Sequence, residues 1–135
     1  MHNEIKGHEL PTVAALSYLG DAGHSLYVRR MLLGRGISKA KELNAAALKY
    51  ITAQAQSKLL GRIEDKLLPD ERDVCRRASN STHLNKPKNA KVADYRRATG
   101  FEAVVGMLIW INDEERLKEL LDLAHREDID DDTEN

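Results

Sequence analysis

Cysteine, proline and long apolar runs are all scarce in this chain of 135 residues. A single cysteine, Cys75, excludes an intrachain disulfide, a cysteine zinc knuckle and the stapled frameworks of small secreted domains. No stretch reaches the roughly 18 apolar residues needed to cross a bilayer. The longest greasy piece, Phe101 to Ile111, is interrupted by Glu102. No basic segment followed by an apolar one opens the chain, so it reads as cytoplasmic, with no membrane partner. A large net charge is missing as well, the formal value being −1. Apolar residues at 41% and charged residues at 32% fit one folded domain and give no support for global disorder.

The three prolines and the near absence of strand-like alternation leave long stretches of Ala, Leu, Lys, Arg and Glu at helical spacing, which predicts an all-α fold. Pro11 and Thr12 open a first helix that runs to about Leu33, before Gly34 and Gly36. Its stripe is read as Leu16, Leu19, Gly23, Leu26 and Arg30. Ser38 caps a second helix to about Ala47, and a third runs from about Thr52 to Lys66 with Ala53, Gln56, Leu59, Leu60 and Ile63 inward. Pro69 starts a fourth, ending near Ser79; a polar loop spans Asn80 to Lys91; a fifth helix covers Val92 to Ile111 and a last one about Glu114 to Arg126. A folded domain over 1–127 and a disordered acidic tail over 128–135, DIDDDTEN, follow from this pattern.

Near-neutral net charge conceals a strong polarity. From Arg72 to Arg97 eight Lys or Arg stand against two acids, and from Asp113 to Asn135 eleven acids stand against three bases. A concentrated basic segment suits a polyanion, although such a segment also serves solubility alone. Arg76, Arg77, His83, Lys86, Lys88, Lys91, Arg96 and Arg97 are the residues assigned to phosphate and groove contacts.

Two acids intrude into otherwise apolar helices: Asp21 in YLGDAG and Glu102 in TGFEAVVG. A carboxylate on a partly apolar face is costly to desolvate unless an arginine, backbone donors or a divalent cation neutralises it. Spacing leaves all three open, with Arg29 and Arg30 available for pairing. Small neighbours, Gly20, Ala22 and Gly23 beside Asp21 and Ala103 and Gly106 beside Glu102, would let two helices approach and bring both acids to one point. Hard oxygen ligands with room for water suit Mg²⁺.

The segments YLGDA and LYVRR, Tyr18 to Arg30, together with PKN at Pro87 to Asn89 and YRRATGFEAVVG at Tyr95 to Gly106, resemble the ribonuclease III catalytic domain. The closer resemblance is to Mini-ribonuclease III, the short form without a double-stranded-RNA-binding domain, over about Leu10 to Arg126. It implies a ribonuclease III-like helical bundle forming a symmetric homodimer, with the region of Tyr18 to Leu26 near the seam. It also implies an Mg²⁺-dependent endoribonuclease, with Mn²⁺ as a substitute, that cuts double-stranded RNA to leave 5′ phosphates. In this branch the implied substrate is the 23S ribosomal RNA precursor, with a ribosomal protein as a conceivable helper. Asp21 and Glu102 carry over as catalytic and metal-holding residues. Where larger relatives have further acids one turn earlier, this chain has Ser17 and Thr99, which matches the short branch and leaves few protein ligands. Ser25 is a second departure. The competing reading is a noncatalytic double-stranded-RNA-binding protein of ribosome assembly.

Overall fold

The computed structural model describes residues 9–81 and 91–133, with side chains described as far as residue 129. Among these residues all regular structure is helical: α1 (Val13–Gly34), α2 (Ala40–Ile51), α3 (Ala53–Ile63), a 3₁₀ turn (Glu64–Lys66), α4 (Pro69–Ser81), α5 (Val92–Trp110), α6 (Glu114–Ala124) and α7 (Arg126–Thr133). The all-α expectation holds, and no described helix is long and apolar enough to cross a membrane.

The helix starts follow local chemistry. Thr12 Oγ1 accepts from the Ala15 N–H at 3.1 Å, and Thr52 Oγ1 does the same for Ala55 at 3.2 Å, each satisfying a first-turn donor that has no partner within its helix. Ser38 does not cap α2; Lys39 holds that place and makes no side-chain bond to it. At α4 the Glu71 carboxylate reaches back to the Leu68 N–H at 2.9 Å, the second half of a capping box behind Pro69 in the first helical position. Beyond α5 the chain turns through Asn112 at φ 60°, a left-handed conformation that asparagine tolerates better than most residues.

Helix α5 is the axis of the molecule. Ala98, Phe101, Ala103, Val104, Val105, Met107 and Leu108 are all buried, so it is apolar on nearly every side, as a helix surrounded by others must be. It packs mainly against α1, α3 and α4, with α6 closing one flank. The buried row of α1 is Leu16, Gly20, His24, Val28 and Leu32, each four residues after the last, while Leu26 and Arg30 face outward. That rotation differs from the stripe expected from composition, and Gly20 and His24 account for it. Gly20 is the position where α5 touches the α1 backbone, and His24 finds hydrogen-bond partners inside.

The carboxyl end is helical as far as it is described. The helical path resumes after His125 as α7, so the boundary drawn at 127/128 falls within a helix. Asp128 is not free: its carboxylate accepts from His125 Nδ1 at 3.0 Å and stands 3.5 Å from Arg62.

Candidate active site

The crossing of α1 and α5 is a backbone-to-backbone contact. A Cβ added to Gly20 would strike the Glu102 carbonyl, and one added to Gly106 would strike the Leu16 carbonyl; any larger residue would push the helices apart. Ser17 Oγ donates to the Thr99 carbonyl at 2.8 Å, so the two positions one turn before the acids knit the same crossing. The close approach that small residues predicted is therefore realised, through Gly20 and Gly106.

As a consequence, Asp21, exposed on α1, and Glu102, half-buried on α5, come within hydrogen-bonding reach of one another. Burial pushes the Glu102 carboxyl up to about 8, and the bond to Asp21 and its negative charge push the same way. A hydrogen bond from Gln56 on α3 opposes them by favouring the ionised form. Among the described residues no lysine or arginine forms an ion pair with either acid. Arg29 and Arg30 point into solvent, and Arg29 Nε reaches only Ser25 Oγ, at 3.3 Å. The arginine pairing left open by the sequence is not what the fold builds.

Two carboxylates with backing from an amide and no described counter-charge suit a divalent cation. Among the described residues no set of three or more His, Cys, Asp and Glu side chains converges on one point, so a cation at this crossing takes at most two protein carboxylates. That donor set fits Mg²⁺, which retains several waters and binds through one or two carboxylates plus substrate oxygens.

Behind the acids lies a run of buried polar side chains that helical spacing did not single out. Gln56 Nε2 is 3.0 Å from His24 Nδ1, His24 Nε2 is 3.0 Å from His125 Nε2, and His125 Nδ1 continues to Asp128. Both imidazoles are fully buried. Burial takes His24 down to about 3, with His125 adding to the shift, and burial also lowers His125 against the opposing pull of Asp128. The only sign of Gln56 in the sequence is an amide within the inward stripe of α3.

The basic residues divide. Arg76 and Arg77, on the exposed side of α4, share Asp73 at 2.7 and 3.2 Å. Lys91 and Arg96 are exposed at the start of α5. Arg97 also serves the fold: its guanidinium donates to Ser57 Oγ at 3.0 Å, to the Ser57 carbonyl at 3.1 Å and to Glu64 at 2.9 Å, which fastens α5 to α3 and the turn after it. His83, Lys86 and Lys88 lie outside the described residues.

Comparison with known proteins agrees with this arrangement. The family described as Ribonuclease III domain matches residues 14–112, which include both acids and the crossing that joins them. The chain is 42% identical over 109 residues to Mini-ribonuclease 3 of Symbiobacterium thermophilum, covering 81% of this chain and 84% of the relative. To the Streptococcus pneumoniae protein of the same name it is 40% identical over 109 residues, covering 79% and 85%. Its identity to the Staphylococcus aureus one is 33% over 124 residues, covering 90% and 92%. A crystal structure of a protein from Fusobacterium nucleatum superposes with a TM-score of 0.81 at 24% identity, over 96% of this chain and 97% of that one, which establishes the shared fold. Family match, relatives and helix order agree: the chain belongs to the Mini-ribonuclease III family.

Proposed function

We propose that this protein is an Mg²⁺-dependent endoribonuclease that hydrolyses both strands of double-stranded RNA, as a homodimer, and trims the ends of 23S ribosomal RNA precursors. The observation that carries the reading is the meeting of Asp21 and Glu102 at the Gly20–Gly106 crossing with no arginine between them. Asp21 and Glu102 would hold the cation, with Mn²⁺ able to substitute. When bound, it supplies an activated water and stabilises the charge that develops on the phosphodiester.

The chain's own groups do the remaining work. Water attacks phosphorus and the 3′ oxygen leaves, so the new ends are a 5′ phosphate and a 3′ hydroxyl. Glu102 is half-buried, where its charge is costly without a cation, and that cost favours cation uptake. Arg76, Arg77, Lys91 and Arg96, with His83, Lys86 and Lys88 from the intervening segment, would meet phosphates and the shallow groove of A-form RNA. Affinity for duplex RNA is then expected to fall steeply with salt. Tyr18, Leu26 and Leu33 on the outer side of α1 are the large apolar side chains left exposed next to the acid-bearing turn. A second copy of the chain covering them would set two acid pairs side by side, one for each RNA strand.

The test is incubation of the purified protein with long duplex RNA and Mg²⁺, with EDTA as control and Asp21→Asn alongside. Cleavage that needs the metal and is lost in the variant supports the reading. Duplex binding without cleavage under any divalent cation would instead make the protein a noncatalytic RNA-binding member of the family.

A further inference from the structure

Contact between two backbones fixes how near two helices stand but has no direction, and so leaves them able to slide and roll. At the α1–α5 crossing the Gly20 and Gly106 contacts are of this kind. A hydrogen bond is directional, and α1 sends one across. Ser17 Oγ donates to the Thr99 carbonyl at 2.8 Å, over a sequence separation of 82 residues. Among the described residues it is the one hydrogen bond from an α1 side chain to the α5 backbone. A helical serine or threonine ordinarily returns its hydroxyl to the preceding turn, as Thr99 does: its Oγ1 donates to the Tyr95 carbonyl at 2.9 Å. Ser17, only 8% exposed, turns away from its own helix instead. A carbonyl oxygen has two lone pairs, so the one on Thr99 can take this bond besides its place in the helical ladder.

The same separation of 82 residues recurs along the crossing. Ser17 faces Thr99, Gly20 faces Glu102 and Gly23 faces Val105, so the two helices run in the same direction in a single register. The bond lies one turn from each acid: Asp21 is about 6 Å beyond Ser17 along α1, and Glu102 about 4.5 Å beyond Thr99 along α5. Helix α5 is tied at this level on its other sides, where Ser79 Oγ of α4 donates to the Arg96 carbonyl at 3.1 Å and Arg97 donates to Ser57 of α3. It is therefore the fixed member, and a slide of α1 along it would move Asp21 against Glu102 and strain the Ser17 bond together. We propose that Ser17 is a positioning residue: through the Thr99 carbonyl its hydroxyl fixes the register of α1 on α5, and with it the placement of Asp21 against Glu102. The consequence for catalysis rests on the nuclease reading; the register does not.

In the full chain, Ser17→Ala removes the donor and keeps a good helix former, while Ser17→Thr keeps a hydroxyl; thermal melts establish that each is folded. Nuclear Overhauser contacts from the α-protons of Gly20 and Gly106 across the crossing read the register without RNA or metal. They are expected to change in Ser17→Ala and to persist in Ser17→Thr. On duplex RNA with Mg²⁺, Ser17→Ala is expected to lose about tenfold in kcat with KM unchanged, and about tenfold in Mn²⁺ affinity by calorimetry, the scale for groups that orient metal-holding residues. Ser17→Thr should restore most of both. Should Ser17→Ala not fold, Ser17→Cys, near in size but a weak donor, is expected to show the same losses on a smaller scale. Wild-type kcat and Mn²⁺ affinity in the folded variant that lacks the hydroxyl would refute the positioning role. Losses in Ser17→Thr as large as in Ser17→Ala would refute it too, by assigning the effect to packing. A wild type that binds Mn²⁺ but cleaves no RNA would remove the nuclease reading alone, and the Mn²⁺ affinities of the variants would then decide the proposal. Without Mn²⁺ binding the Overhauser contacts decide it, and an unchanged pattern in Ser17→Ala overturns it.

Discussion

Two glutamates sink into this fold and are treated in opposite ways. Glu71, only 3% exposed, is fully answered: Arg116 donates to it from Nε and Nη2, both at 2.8 Å, and the Leu68 N–H adds a third bond at 2.9 Å. Arg116 also reaches the Lys66 carbonyl at 2.8 Å, so this pair joins α4, α6 and the turn between α3 and α4. Glu102, half-buried on α5, has an amide and a second acid for company, and no described cation. At Glu71 the fold answers a buried acid with an arginine. At the helix crossing no described lysine or arginine pairs with Glu102, and that asymmetry is what the proposed role of Glu102 in holding a cation would explain.

Neutralising each acid breaks the comparison most directly. Glu102→Gln is expected to lower cleavage of duplex RNA by about 10³-fold or more, equivalent to roughly 4 kcal/mol of transition-state stabilisation. Its thermal stability in metal-free buffer should rise or hold, because a costly acid has been removed. Glu71→Ala should do the reverse. Cleavage per folded molecule stays near wild type, while stability by urea unfolding drops by about 3 kcal/mol, the low end of the scale for breaking a buried pair, because Arg116 keeps Glu119 at 3.0 Å. If Glu71→Ala folds normally and loses cleavage, or if Glu102→Gln cleaves normally, the division of roles is wrong.

A second expectation concerns pH, and here the two ends of the polar run have opposite signs. Glu102 is pushed up to about 8, so in the metal-free protein the folded state holds a proton that the unfolded chain releases near 4.5, and stability falls as pH rises from there through 8. His24, down at about 3 from 6.5, stays neutral in the folded state while the unfolded chain takes up a proton. Stability from this group is therefore full above 6.5 and is lost as pH falls, by about 2 kcal/mol on reaching pH 5. Metal-free thermal melts should accordingly be highest in mildly acidic buffer and decline on both sides. Mg²⁺ should raise the midpoint more at pH 8 than at pH 5.5, since at lower pH it competes with the proton on Glu102. An equal Mg²⁺ effect at both values would place the cation elsewhere.

The sequence and the fold agree most closely where the signal is local. Thr12, Thr52 and Pro69 mark helix starts that the structure keeps, and the tight approach of Gly20 and Gly106 was legible as small residues flanking each acid. What spacing could not supply was rotation and partner choice. The α1 stripe is rolled from the expected one because a glycine contact and a doubly bonded histidine outweigh the placement of Leu26. Arg97 gave no sign of its bonds within the fold because its neighbours Glu64 and Ser57 are more than thirty residues away in the chain. Gln56 was legible only as a member of the inward stripe of α3, and His125, in the turn between α6 and α7, gave no signal of its own; only the tertiary fold joins both to His24.

The smallest expected effect concerns the acidic segment. Asp128 is bonded to buried His125, so deleting the whole of 128–135 would disturb the core and the charge together. Ending the chain after Ile129 keeps Asp128 and removes Asp130, Asp131, Asp132 and Glu134. Four negative charges compete with phosphates for a basic face wherever they come within roughly a Debye length of it, about 10 Å at 0.1 M salt. The shortened protein should therefore bind duplex RNA a fewfold more tightly at low ionic strength, with the difference vanishing at moderate salt and kcat unchanged. A lower kcat would mean that these acids act on the site itself and not on RNA affinity alone. Equal affinity at all salt concentrations would leave them a solubility segment.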